Sequence, residues 1–120
     1  MSIPPEALQK LVQEIEARAI SSQQQINIVK AQISTKQRDI RLLQLTSSEL
    51  QSLPKDTNVY EGVGKMFIHA PINTVDKRLS TETETLKNDI SGLEKRLNYL
   101  ETTHQKSKEN MEHILKGTSA

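Results

Sequence analysis

Starting at Leu8, steps of four and three residues pick out Leu8, Val12, Ile15, Ala19, Ser22, Ile26, Val29, Ile33, Lys36, Ile40, Leu43, Ser47 and Leu50, and ten of these thirteen positions are apolar. A 3.5-residue repeat keeps one stripe of a helix facing a partner along its whole length, which marks a coiled coil rather than an ordinary globular helix. Pro5 suits a first helical turn, where its missing N–H is not needed, and Pro54 disfavours helical geometry at Leu53. The pattern predicts a helix over residues 5–52.

The second half repeats the seam with Leu86, Ile90, Leu93, Leu97, Leu100, His104, Ser107, Met111 and Ile114, seven of nine apolar, preceded by Val75 and Leu79 one step out of phase. Asn73 is suited to cap this helix, with Asp76 as a weaker capping-box partner and Gly117 as the residue after its last turn. The expected span is 74–116. Each helix would be roughly 65 to 70 Å long at 1.5 Å per residue, so a rod is expected.

Between the helices, "NVYEGVGKMFI" gathers the single Phe, one of two Tyr and two of four Gly residues of the chain. Val59, Tyr60 and Val63, then Met66, Phe67 and Ile68, have strand character around Gly62 and Gly64. Strands are expected over 58–63 and 65–70, making a β-hairpin over 58–70 that Pro71 closes. One glycine, by preference Gly64, should take the positive φ of a tight or bulged turn. The fold class expected is therefore mainly α, a long antiparallel two-helix coiled coil joined by a single central β-hairpin, in one domain over residues 1–120.

Folding back sets Ile26 opposite Leu100, Val29 opposite Leu97, Ile33 opposite Leu93 and Ile40 opposite Leu86. Nearer the termini Ser22 falls opposite His104 and Ala19 opposite Ser107. Those polar or small layers should pair weakly, with Leu8, Leu11, Val12, Ile15, Met111, Ile114 and Leu115 gathered at the free end. In the hairpin, Met66 and Ile68 point one way and Phe67 the other, so both faces are apolar, and a two-stranded sheet alone is marginal in water. The hairpin should therefore pair with hairpins of other chains, through Val59, Tyr60, Val63, Gly64, Met66, Phe67 and Ile68.

Composition narrows the chemistry. Apolar residues make up 34% of the 120, low enough to suggest disorder, but their regular spacing argues against it. Sixteen Lys and Arg against fifteen Asp and Glu give no electrostatic case for nucleic acid or an anionic membrane, and no basic cluster precedes the heptads as a DNA-binding zipper needs. Protein partners are expected. With no cysteine, disulfides and thiolate metal sites are excluded and a cytoplasmic setting fits. Glu6, Glu14 and Glu16 near the start argue against a signal peptide, and no apolar run approaches the ~20 residues of a membrane span. His69, His104 and His113 lack metal-ligand spacing, and no P-loop Lys-Ser/Thr pair follows Glu61, Gly62 and Gly64. No catalytic, cofactor or metal residues are expected, and the chain does not read as an enzyme.

The order helix, hairpin, returning helix, with Asn58, Tyr60, Glu61, Gly62, Val63, Gly64, Met66, Phe67 and Ile68 at the junction, resembles the β-class subunits of prefoldin and looks most like the eukaryotic subunit 1 type. The resemblance covers the whole chain and implies a hetero-hexamer of two α-class subunits with this chain and three further β-class subunits. Their hairpins would form a shared β-barrel base from which the coiled coils project. It also implies that the tips hold unfolded proteins, such as nascent actin and tubulin, and deliver them without ATP to the cytosolic group II chaperonin. On that reading the client contacts are Leu8, Leu11, Val12, Ile15, Met111, Ile114 and Leu115. The rival reading is a structural coiled-coil scaffold or tether forming homo-oligomers, which accounts for both seams but leaves the Gly-flanked aromatic hairpin without a purpose.

Overall fold

A computed structural model describes residues 4–118. Helix α1 runs Pro5–Gln51, strands β1 and β2 run Val59–Val63 and Met66–Ala70, and helix α2 runs Ile72–Thr118. The two strands form one antiparallel sheet. The molecule is mainly helical, two long helices joined by a central hairpin.

The heptad seam sorts burial residue by residue. All thirteen seam positions of α1 from Leu8 to Leu50 are buried or half-buried, and Leu11 is the one other residue described in that helix that is not exposed. In α2 every position from Leu86 to Ile114 in the predicted series is likewise covered, and Val75 and Leu79 are buried. A stripe this narrow is what a two-helix pairing leaves dry, because only positions that recur every 3.5 residues meet a partner.

Two compact units divide the chain. In the unit Ser34–Gly92, α1 and α2 are tied at two levels: Lys36 Nζ lies 3.4 Å from Asp89 Oδ2, and the Ser47 hydroxyl donates to Asp76 Oδ1 at 2.5 Å. Rising numbers on one helix meet falling numbers on the other, so the helices are antiparallel. Val75, Leu79 and Ile90 form its dry positions. Seam residue Lys36 keeps its stem in the stripe while its ammonium reaches Asp89 at the edge, so a charged seam position need not break the pairing. The other unit holds the helix segments up to Ile33 and from Leu93. Its core is Ile26, Val29 and Ile33, flanked by a Lys30–Glu101 pair at 3.8 Å.

The helix ends depart from expectation. Helix α1 stops at Gln51 rather than Ser52, and its last turn tightens as Ser52 N–H donates to the carbonyls of Ser48 and Glu49, each at 3.2 Å. Helix α2 begins at Ile72, so Asn73 lies inside it and does not cap it. The Pro71 carbonyl accepts from Thr74 and Val75 N–H at 3.0 and 3.1 Å, so the main chain leaving β2 already supplies the first helical acceptor. Asp76, expected in a capping box, receives the Ser47 hydroxyl instead. Gly117 also lies within α2, which continues to Thr118.

Candidate assembly site

The hairpin register pairs Val59 with Ala70, Tyr60 with His69, Glu61 with Ile68, Gly62 with Phe67 and Val63 with Met66. Gly64 and Lys65 are therefore the whole turn. Gly64 has φ of 61°, and no non-glycine residue described has positive φ, which is the pattern of a type II′ turn with glycine first. Lys65, expected to open the second strand, belongs to this turn, and Asn58 precedes the first strand. The two-residue turn matches the twist of the strands and fixes which side chains share a face.

One face carries Val59, Glu61, Val63, Met66, Ile68 and Ala70, and the other carries Tyr60, Gly62, Phe67 and His69. The first is shaded at its helix-proximal end, where Val59, Glu61 and Ala70 are half-buried, and open toward the turn. On the second, the Tyr60 and His69 rings meet edge to face with centroids 5.7 Å apart. The Phe67 ring lies across Gly62, Cε1 standing 3.7 Å from where a β-carbon on that glycine would be. Phe67 is 77% exposed and Met66 65%, and Tyr60, Val63 and Ile68 are exposed as well. Five of the seven residues assigned to assembly thus present large apolar groups to solvent, while Val59 is half-buried and Gly64 shapes the turn.

Glu61 is the one carboxylate on the two strands. Its Oε2 lies 3.0 Å from Nη1 of Arg78 on α2, and Arg78 Nε lies 3.9 Å from Glu82 Oε1. This pairing joins β1 to the helix that follows the hairpin. Sequence spacing gave no sign of it, because it depends on where the hairpin lies against α2.

Of the residues assigned to client contact, Leu8, Leu11, Val12, Ile15, Met111 and Ile114 are half-buried and Leu115 is exposed. Leu8, Val12, Ile15, Met111 and Ile114 continue the seam, Leu11 flanks it, and Leu115 lies off it. Ser22, Ala19, His104 and Ser107, the polar or small layers, are also half-buried, and His104 Nδ1 is buried without a hydrogen-bond partner. Outside the seam, Ile20, Ile28, Leu42, Leu45 and Tyr99 are exposed. Heptad reading assigns such off-stripe residues to solvent, and only their apolar identity marks them out.

Among the described residues no group of three or more His, Cys, Asp or Glu side chains could hold a metal ion, and no helix is long and apolar enough to cross a membrane.

Comparison with known proteins points to one family. The prefoldin subunit family model matches residues 13–118. A protein of Schizosaccharomyces pombe named "Probable prefoldin subunit 1" is 32% identical over 112 residues, covering 93% of this chain and 100% of that one. Prefoldin subunit 1 of Mus musculus is 32% identical over 108 residues, covering 90% of this chain and 88% of that one. The crystal structure of the prefoldin beta subunit from Thermococcus strain KS-1 superposes with a TM-score of 0.82 at 25% identity, over 95% of this chain and 96% of that one.

Proposed function

This chain belongs to the prefoldin subunit family, and from that premise we propose that it is a β-class subunit of a hetero-hexameric co-chaperone that captures unfolded proteins and passes them to the cytosolic group II chaperonin without ATP. Membership of the family implies a co-chaperone role and assembly with other prefoldin subunits. The observation that carries the finer reading is the hairpin, whose Phe67, Met66, Tyr60, Val63 and Ile68 stand in solvent on both faces of a two-stranded sheet. Aromatic and apolar groups left uncovered on a sheet with two free edges favour burial against further strands. Hairpins of two α-class and three further β-class subunits are the cover proposed.

Client capture is assigned to the free helix ends. Leu8, Leu11, Val12, Ile15, Met111, Ile114 and Leu115 lie beyond polar or small seam layers, where local opening costs less than at Ile26 to Ile33. Several weak apolar ends around one unfolded chain hold it by avidity, so no single contact has to be tight. Neither step calls for a catalytic group or a cofactor, and the setting proposed is the cytoplasm.

The test is native mass spectrometry of the tagged chain isolated from cytosol. A six-chain complex containing this chain once, beside sequence-distinct subunits, is the expected result. A homo-oligomer would replace the proposal with the scaffold reading.

A further inference from the structure

The Glu61–Arg78 pair, read together with the proposed hairpin assembly on which this inference rests, has a role beyond tying β1 to α2. Glu61 shares its face with Val59, Val63, Met66, Ile68 and Ala70 and stands directly opposite Ile68. A carboxylate on an apolar face that another chain is to cover loses water when covered. Its side chain is already down to 22% exposure, whereas that of Arg78 keeps 51%. In the free chain the pair is half in solvent and contributes little. Under a cover both charges are desolvated, and removing one leaves the other buried and uncompensated, which is costly. Glu82, 3.9 Å from Arg78 Nε, holds the guanidinium loosely from the helix side.

We propose that Arg78 is a positioning residue for assembly: it supplies, from within the same chain, the positive charge that lets the Glu61 face be covered by a neighbouring hairpin. The partner that fits is a strand pair presenting apolar side chains at this place. One presenting an Asp or Glu there would meet the Glu61 carboxylate and be disfavoured, so the site also selects among related subunits.

The experiment is a competition titration in which variant and labelled wild-type chains compete for incorporation into the complex, with circular dichroism of each free chain alongside. Arg78→Ala should lower incorporation by about 100-fold or more, the size expected for one buried charge left unpaired, with helicity unchanged. Arg78→Ala combined with Glu61→Leu should return incorporation to within about threefold of wild type, because the cost arises from the stranded carboxylate rather than from the lost pair. A purely structural tie would leave the double variant as weak as the single one. That outcome overturns the proposal, as does wild-type incorporation of Arg78→Ala. Phe67→Asp, run in parallel, separates the levels. If it is excluded from the complex while Arg78→Ala is not, only the Arg78 proposal falls. If it incorporates fully, the hairpin is not the assembly surface and the proposal falls with that reading.

Discussion

Phe67 lies across Gly62 on the paired strand, its Cε1 3.7 Å from the place a β-carbon on that glycine would take. The glycine leaves a flat strip of backbone on which the most exposed aromatic of the hairpin rests. An added methyl would make only an ordinary contact, so Gly62→Ala should leave both melting and incorporation near wild type. Gly62→Ile fills the space the ring uses and should turn Phe67 away, costing about 2 kcal/mol in assembly if that ring is an anchor. Subunit-exchange titration of both variants tests this, and equal behaviour of Ala and Ile would show that the ring's position does not matter.

Gly64 offers a cleaner backbone test. Nothing lies within 4 Å of a β-carbon built there, yet its φ is 61°. Any penalty for a side chain at this position is therefore conformational. Gly64→Val should cost about 1–3 kcal/mol through strain at the turn, with incorporation reduced accordingly. Thermal melting of the assembled complex is the measurement, and an unchanged midpoint would mean the turn relaxes freely to another geometry.

The seam also contains a polar tie. The Ser47 hydroxyl donates to the half-buried Asp76 carboxylate, linking α1 to α2 near the hairpin. Ser47→Ala should cost about 1–3 kcal/mol because the carboxylate loses its partner, whereas Ser47→Leu with Asp76→Leu should be neutral or stabilising. Denaturant melts of the full chain would decide, a neutral Ser47→Ala showing that water serves Asp76 equally well.

The polar and small seam residues Ser22, Ala19, His104 and Ser107 predict a graded exchange profile. Backbone amides in residues 5–23 and 103–116 should exchange faster than those in residues 26–43, a stretch that includes the buried Ile26, Val29 and Ile33. Truncation before Ser22 and after His104 should then leave assembly intact and reduce suppression of aggregation of an unfolded protein, scored in complexes carrying only this truncation. Full suppression combined with a uniform exchange profile would move client contact elsewhere.

The seam was legible because each helix repeats one period many times, so single exceptions such as Lys36 or Ser47 do not hide it. The hairpin was legible because Gly62, Gly64, Tyr60 and Phe67 stand out from a chain poor in glycine and in aromatics. What escaped depends on geometry that local composition does not record. Asn73 has the chemistry of a cap, but the chain leaves β2 with the Pro71 carbonyl already in place for Thr74 and Val75, so no side-chain cap is required. The Glu61–Arg78 contact joins different elements and exists only once the hairpin lies against α2. Leu42 and Leu45 fall off the stripe, and heptad logic has nothing to say about an exposed leucine.

Between β2 and α2 stands a single residue, Pro71, whereas the chain from the end of α1 at Gln51 to the start of β1 at Val59 is a longer irregular stretch. Proline has one allowed φ, so this joint turns about a single torsion, the ψ of Pro71. The hairpin is thus mounted on α2 as on a short crank, while α1 is attached through a longer connection. A twist applied to the hairpin by its neighbours would pass into α2 first, and α1 would follow through the seam. Two glycines inserted after Pro71 should accordingly uncouple the hairpin from its helix and impair assembly, and the same insertion between Lys55 and Asp56 should be absorbed. Equal effects of the two insertions on incorporation would show that both connections carry the load alike.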